Sequence, residues 1–280
     1  MSQDRRASLH DVLRSNISRW PGKNAAWATD EGDLAVSAGA VTEVFEWASV
    51  TKLLLALTCW VAVEEGTVSF EGPAGPQGST LGHLLAHASG LPFEGNSPIA
   101  PPGKRRIYSN TGIETAADHL SARAGMPFAD YLRAGVLEPL GMTATVLSGS
   151  PAHGARGPLE DLARLTAQLL RPSLISARTW QLATSAAWPE LAGVLPGFGR
   201  QVPCEWGLGP EVRGHKSPHW TGARNSPFTF GHFGQSGAFL WVDPVAGVAL
   251  AALCSEPFGD WAKKAWPALS DEVLSLLARP

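Results

Sequence analysis

The 280-residue sequence has few cysteines and no excess of positive charge. Its three cysteines, Cys59, Cys204 and Cys254, are odd in number, far apart and set in apolar or strand-like surroundings. This spacing fits neither a disulfide framework nor a zinc motif, so buried free thiols are expected. Lys and Arg total 22 against 25 Asp and Glu, which gives a net charge of −3. The sequence therefore lacks the excess of basic residues that is typical of nucleic-acid-binding proteins.

Long hydrophobic runs are also absent. The apolar stretch at 53–63 is interrupted by Thr58 and has 11 residues. That is fewer than the roughly 20 residues that cross a bilayer. The first 20 residues are polar and lack the apolar segment of a signal peptide, which predicts a cytoplasmic protein with no membrane partner. The hydrophobic content of 44% is enough for a large core in one or two domains.

Residues 46–66 predict a buried helix with a serine and a lysine on one face. The run at 53–63 leaves no polar stripe to face solvent. Ser49 and Lys52 are three residues apart and are therefore neighbours on a helix. At the helix N-terminus the serine would meet unpaired N–H groups, and a buried lysine would resist protonation. The pair is a candidate nucleophile and base; the alternative is a helix cap followed by a solvated lysine.

Strand patterns occur towards both ends of the chain. Residues 24–29 and 34–38 flank the turn-forming residues 30–33 and predict a hairpin. Further extended segments are predicted at 44–47, 206–212, 238–242 and 248–254. Amphipathic helices are predicted at 8–20 and from residue 260 onward, the second interrupted by Pro267.

The middle of the chain has a helical pattern. Ser79 or Thr80 can cap a short helix, and Thr111 with Glu114 forms a capping box for a longer one. Further helices are predicted around 128–137, 158–170 and 176–184. Together these patterns predict an α+β fold. An antiparallel sheet from 1–70 and 200–280 would be flanked by the N- and C-terminal helices, with a mostly helical insertion subdomain at 71–199.

Four segments follow one another in a recognisable order: ASVTK at 48–52, HLLAHASGLP at 83–92, YSN at 108–110 and GHFGQSG at 231–237. With LEPLGM at 137–142, they resemble the serine β-lactamase-like family, which includes class C β-lactamases, D-alanyl peptidases and related esterases. The resemblance spans about residues 45–254. It implies a β-lactamase/transpeptidase-like fold with the site in a cleft between sheet and helical insertion.

The resemblance also implies roles for individual residues. Ser49 is the expected nucleophile, and Lys52 and Tyr108 are jointly expected to take its proton, since a serine hydroxyl needs an adjacent base. The backbone N–H groups of Ser49 and Gln235 are the expected oxyanion hole. The expected substrate contacts are Asn110, His232, Phe233 and Gly234. Trp220, close in sequence to the third motif, is a further candidate for an acyl pocket, with core packing as the alternative.

The third motif departs from the family's usual Lys-Thr-Gly. A lysine there would hold a substrate carboxylate, whereas His232, with an ordinary pKa near 6.5, is mostly neutral at pH 7. The sequence therefore predicts a serine hydrolase that cleaves small esters or amides through a Ser49 acyl-enzyme, without cofactor or metal. The alternatives are a β-lactam hydrolase, a D-alanyl-D-alanine carboxypeptidase or D-aminopeptidase-like enzyme, and a non-catalytic binding protein.

Other polar residues have less specific interpretations. His87 is expected to bond a loop backbone. Arg105 and Arg106, beside the tyrosine, would attract an acidic substrate or form a solvated loop pair. His215 and His219 are separated by Pro218, which argues against a metal site on one helical face. The oligomeric state stays open.

Overall fold

The computed structural model describes residues 2–31 and 34–277. The predicted turn at 30–33 falls partly on residues 32 and 33, which lie outside the described residues, as do residues 1 and 278–280 of the predicted sheet domain. The helices are α1 (Ser2–Ile17), α2 (Thr51–Glu64), α3 (Leu81–Leu85), α4 (Asn110–Ala124), α5 (Phe128–Leu132), α6 (Glu138–Leu140), α7 (Leu159–Leu170), α8 (Ala177–Thr184) and α9 (Asp260–Leu277). The strands are β1 (Asn24–Asp30), β2 (Ala35–Gly39), β3 (Phe45–Glu46), β4 (Val146–Leu147), β5 (Ala155–Gly157), β6 (Gly193–Leu195), β7 (Gly199–Gln201), β8 (Glu211–Val212), β9 (Phe230–Phe233), β10 (Phe239–Asp243) and β11 (Val248–Cys254).

One antiparallel sheet joins the two ends of the chain. Its strand order is β2-β1-β11-β10-β9-β8, and β1 pairs with β11 from Asn24 opposite Cys254 to Asp30 opposite Val248. The predicted α+β class and the antiparallel sheet are confirmed. Small sheets, β3-β5-β4 and β6-β7, lie outside it.

Helices cover both faces of this sheet, and its strands β9, β10 and β11 are buried along their whole length. Along β11, Leu250 packs in the cluster formed with α1 and α9, whereas Ala251 packs in the cluster that contains α2. Helix α7 lies within the predicted insertion at 71–199 yet packs against β11, β1 and β10. The division into 1–70 with 200–280 and 71–199 stays a prediction.

Helix α2 is the core helix that the apolar run predicts. Every side chain from residue 51 to residue 62 is buried, including that of Lys52. A short 3-10 turn, Ala48–Val50, leads into α2, so Ser49 precedes the α-helix proper. The helix is therefore a rigid base for the predicted nucleophile and its lysine.

Four predicted elements differ from the structure in where they begin, end or are interrupted. Helix α1 begins at Ser2, and Ser8, the predicted cap, lies within it and bonds back to the Asp4 carbonyl. Helix α4 is capped by Ser109, whose Oγ accepts from the Gly112 N–H at 2.8 Å, and not by the predicted box.

Helix α9 runs through Pro267, whose neighbours Trp266 and Leu269 are fully buried and hold the segment against the core. The predicted strand at 206–212 is limited to Glu211–Val212, because a turn returns the chain from Gly207 to Pro210.

The predicted thiols are confirmed as free and buried at all three positions. No helix within the described residues has both the length and the apolar character needed to cross a membrane.

Candidate active site

Lys52 is fully buried beside Ser49. Its Nζ lies 3.2 Å from Ser49 Oγ, 2.8 Å from Asn110 Oδ1 and 2.9 Å from the Ala152 carbonyl oxygen. The three acceptors come from the 3-10 turn, the start of α4 and the loop after β4. None of them is a carboxylate, so the amine is held in place without a counter-ion in contact.

This environment lowers the pKa of Lys52 from 10.5 to about 7. Burial is the cause, because it disfavours the ammonium form, and the charge of Glu114 opposes it only in part. Near neutral pH about half of the molecules therefore carry an uncharged amine next to Ser49 Oγ. An uncharged amine is able to accept a proton.

Tyr108 completes the polar group around Ser49. Lys52 Nζ lies 4.8 Å from the centre of the Tyr108 ring. Burial raises the pKa of the phenol well above its usual value, and a hydrogen bond with Ser49 offsets this only partly. Tyr108 therefore stays protonated at neutral pH. Its ring is fixed by that of His87 at 4.7 Å and by that of Trp206 at 5.8 Å.

Two residues at the site have left-handed backbone conformations, which are unfavourable for residues other than glycine. Ala48, directly before Ser49, has φ 43°, and His87 has φ 54°. Such conformations cost about 1–3 kcal/mol each and are typical of functional sites. At Ala48 the conformation turns the chain from β3 into the helix and sets the position of Ser49.

Gly234 allows the end of β9 to approach the serine turn. A Cβ built on Gly234 would lie 2.3 Å from the Trp47 carbonyl oxygen and 3.2 Å from the Ser49 nitrogen. Any side chain would separate the two segments. Gln235 directly follows Gly234 in the chain and lines the same cavity as Ser49. An oxyanion hole formed by the backbone N–H groups of Ser49 and Gln235 stays a prediction.

His232 is a neutral imidazole at this site. Burial, and then the charge of Lys52, lower its pKa to about 3, although its bond to the Phe233 carbonyl opposes this. Nδ1 lies 2.7 Å from that carbonyl oxygen and must therefore carry the proton. Among the described residues its Nε2 has no hydrogen-bond partner.

A cavity of about 1040 Å³ opens above Ser49. Five predicted site residues line it: Ser49, Tyr108, His232, Phe233 and Gln235. Lys52 and Asn110 lie behind this wall. Asn110 presents its Oδ1 to Lys52, and its predicted contact with substrate stays a prediction.

Trp220 does not reach the cavity. It is 1% exposed and packs in the core between Phe233 at 5.7 Å and Phe239 at 6.1 Å. Its indole N–H donates to Glu211. Of the two roles predicted for Trp220, an acyl pocket or core packing, the structure shows core packing.

A buried ion-pair cluster that was not predicted lies next to the cavity. Glu211 Oε1 lies 3.1 Å from Lys216 Nζ and 2.8 Å from His219 Nε2. Burial disfavours the carboxylate, but His219 and Lys216 outweigh that cost and lower the pKa of Glu211 to about 2. The sequence offers no spacing signal for this cluster, because turns bring its members together.

His87 and Arg106 have structural roles. His87 Nδ1 accepts from the Ser109 N–H at 3.2 Å, which is the predicted bond to a loop backbone. Arg106 is buried and donates to the carbonyls of Cys204, Ala187, Trp188 and Ala86, so it is not a solvated loop charge. It ties the loop before Tyr108 to the wall at 186–204. Among the described residues, no cluster of three or more His, Cys, Asp or Glu side chains is arranged to hold a metal ion.

Comparison with known proteins places this site in a family. A family model named Beta-lactamase matches residues 24–274. The crystal structure of a β-lactamase from Mycobacterium bovis is 48% identical, covers 95% of this chain and 99% of its own, and superimposes with a TM-score of 0.93.

More distant proteins share the fold or part of the sequence. Penicillin-binding protein 4* of Bacillus subtilis is 30% identical in a match that covers 52% of this chain. The match spans 42% of that curated relative's length. EstCE1, a hydrolase with promiscuous acyltransferase activity, is 15% identical and covers 98% of this chain and 99% of its own, with a TM-score of 0.77. This similarity shows a shared fold alone.

Proposed function

The chain belongs to the β-lactamase family, and on that premise we propose that it is a serine hydrolase that cleaves small esters or amides through an acyl-enzyme on Ser49. The observation that carries the proposal is the contact of 3.2 Å between Ser49 Oγ and a buried amine whose pKa is lowered to about 7. We also propose a cytoplasmic location.

The first chemical step forms the acyl-enzyme. As Ser49 Oγ attacks the substrate carbonyl, its proton passes to the uncharged amine of Lys52. The N–H groups of Ser49 and Gln235 receive the negative charge that develops on the carbonyl oxygen, each typically contributing about 3 kcal/mol at such sites. The carbonyl–heteroatom bond then breaks, and the leaving group takes up a proton.

Tyr108 has a different part from Lys52 in this scheme. Because burial raises the pKa of the phenol, Tyr108 holds its proton and is a poor base in the free enzyme. Its position beside Ser49 on the cavity wall suits the passage of a proton from Lys52 to the leaving group. The base is therefore assigned to Lys52, and the relay to Tyr108. Water releases the acyl group by the reverse proton transfers.

The neutral imidazole of His232 supports esters or amides over carboxylate-bearing β-lactams. Its pKa of about 3 leaves no positive charge at the third motif above pH 5. A substrate carboxylate next to the reacting bond would therefore lack the fixed cation of a Lys-Thr-Gly motif.

The proposal is tested with 4-nitrophenyl butyrate and intact-mass analysis. We expect turnover and, after treatment with a fluorophosphonate, a single adduct that is lost in Ser49→Ala. Ser121→Ala, in α4, is a matched control that should keep both signals. A wild-type protein that hydrolyses no ester or amide and takes up no phosphonate would overturn the proposal.

A second candidate function is β-lactam hydrolysis or D-alanyl peptidase activity. It is favoured by the names of two relatives, the β-lactamase that is 48% identical and penicillin-binding protein 4*. Ser49-dependent turnover of nitrocefin or of D-amino acid amides, faster than that of esters, would establish it in place of the first. A protein without any acylation of Ser49 would instead be a non-catalytic binding protein on this fold.

A further inference from the structure

Three exposed cations line the mouth of the cavity above Ser49: Lys104, Arg105 and Arg200, here named the cation rim. We propose that the cation rim selects substrates that carry a negative charge away from the scissile carbonyl, a carboxylate or a phosphate-type group. This inference rests on the proposed function, since it assigns a substrate class to the same site.

The charges on the cavity wall are strongly one-sided. Four of its residues are cationic, the cation rim and Arg106, and Glu211 is its one carboxylate within the described residues. The whole chain has a net charge of −3, so a local excess of positive charge does not follow from composition. A cleft lined by one sign of charge concentrates ligands of the opposite sign.

The carboxylate on the wall does not neutralise the cation rim. Glu211 is buried and already bound to Lys216 and His219. In the described residues, no ion pair involves Lys104, Arg105 or Arg200. Arg106 adds a further positive charge, because its partners are backbone carbonyls and not carboxylates.

Apolar side chains share the cavity wall with the cation rim. Phe93, Ile99 and Val194 line the same cavity and are 50%, 59% and 60% exposed. Ser49 is only partly exposed at the base of the cavity, whereas the cation rim is exposed at its mouth. The cavity thus suits a molecule with its ester at one end, an apolar middle and an anionic group at the other end. This differs from a carboxylate clamp at the third motif, where the charge would adjoin the reacting bond.

The test compares paired esters that differ in charge. One pair places the charge on the acyl part: 4-nitrophenyl hydrogen adipate against 4-nitrophenyl hexanoate, with a phosphonate analogue of the adipate as an additional arm. The other pair places it on the leaving part: 4-(butyryloxy)phenylacetate against its methyl ester. We expect wild type to prefer the anionic member of at least one pair in kcat/KM. Lys104→Gln/Arg105→Gln/Arg200→Gln should reduce that preference, the ratio of the two kcat/KM values, about tenfold, the sum of three exposed charge contacts.

A matched variant controls for total charge. Lys264→Gln/Arg123→Gln/Arg178→Gln removes one lysine and two arginines that are exposed and do not line this cavity, and should keep the preference. Raising NaCl from 0.05 to 0.5 M should weaken the preference of wild type, because exposed charges are screened. A preference that the rim variant leaves within twofold of wild type in both pairs would overturn the inference while the proposed hydrolase stands.

A binding measurement keeps the inference testable if no ester is cleaved. Adipic acid monoamide and hexanamide are titrated into Ser49→Ala, with tryptophan fluorescence as the readout, since Trp206 lines the cavity. Tighter binding of the anionic amide that is lost with the cation rim supports the inference. Equal binding of the two amides contradicts it.

Discussion

Two buried lysines in this chain have opposite surroundings. Lys52 is 0% exposed and contacts a hydroxyl, an amide oxygen and a backbone carbonyl. Lys216 is 4% exposed and lies 3.1 Å from the Glu211 carboxylate, with a further bond of 2.9 Å to the Glu205 carbonyl. A carboxylate in contact compensates the desolvation of an ammonium group, whereas neutral acceptors do so far less. The first lysine is therefore suited to act as a base and the second to hold structure.

The comparison shows that burial alone does not determine what a lysine does. Both side chains are enclosed, and the difference lies in the counter-ion. Changing either lysine, its neighbours or the pH should therefore have effects of different sizes.

The largest effect is expected for Lys52→Met. Methionine fills a similar volume but cannot accept the Ser49 proton, so kcat/KM for 4-nitrophenyl butyrate should fall about 10³- to 10⁴-fold. Lys216→Met, the same change at the paired lysine, should lower kcat/KM per folded molecule far less. Equal losses of activity in the two folded variants would contradict the distinction.

The next effect concerns stability. Glu211→Gln leaves Lys216 buried without its counter-ion, which should lower the free energy of unfolding by about 3–5 kcal/mol in urea titrations. Glu190→Gln, at an exposed position, serves as the control and should change it by less than about 0.5 kcal/mol. An unchanged stability in Glu211→Gln would show that the ion pair has no structural weight.

Asn110→Asp gives Lys52 a carboxylate in contact, as Lys216 has in Glu211. The new carboxylate would replace an amide oxygen that lies 2.8 Å from Lys52 Nζ and should raise the pKa of that amine by about 1–3 units. Activity at pH 7 should drop about hundredfold and recover as the pH is raised, since the amine then loses its proton. A uniform loss at every pH would point to damaged geometry instead.

The smallest effect is a change of stability with pH. Lys52 has a pKa of about 7 in the folded chain and 10.5 as its ordinary value, so between these values the unfolded chain binds more protons and stability rises with pH. From pH 7.0 to 9.0, wild type should gain about 2 kcal/mol of unfolding free energy relative to Lys52→Met. A difference between the two proteins that is constant over this range would place the folded pKa of Lys52 elsewhere.

Local patterns in the sequence predicted the elements that carry the site. The spacing of Ser49 and Lys52 and the apolar run that follows them predicted α2. The strand patterns towards both ends of the chain predicted the sheet. The family resemblance added Tyr108 and the third motif. These features depend on neighbours in sequence or on motifs, so they could be identified before the structure.

Contacts made by turns and loops could not be predicted in the same way. Asn110 accepts a bond from Lys52, a contact that was not predicted, and Trp220 packs in the core, although an acyl pocket was predicted for it. Glu211, Lys216 and His219 meet because of how the loop after β8 folds. No periodicity encodes such meetings, since they depend on the tertiary path of the chain.

The pH dependence of Ser49 acylation tests the central claim most directly. For wild type, kcat/KM with 4-nitrophenyl butyrate should rise with pH and level off, with an apparent pKa of about 7 that belongs to Lys52. A rate that does not change between pH 5.5 and 9, or one that rises only near the ordinary lysine value of 10.5, would contradict the account.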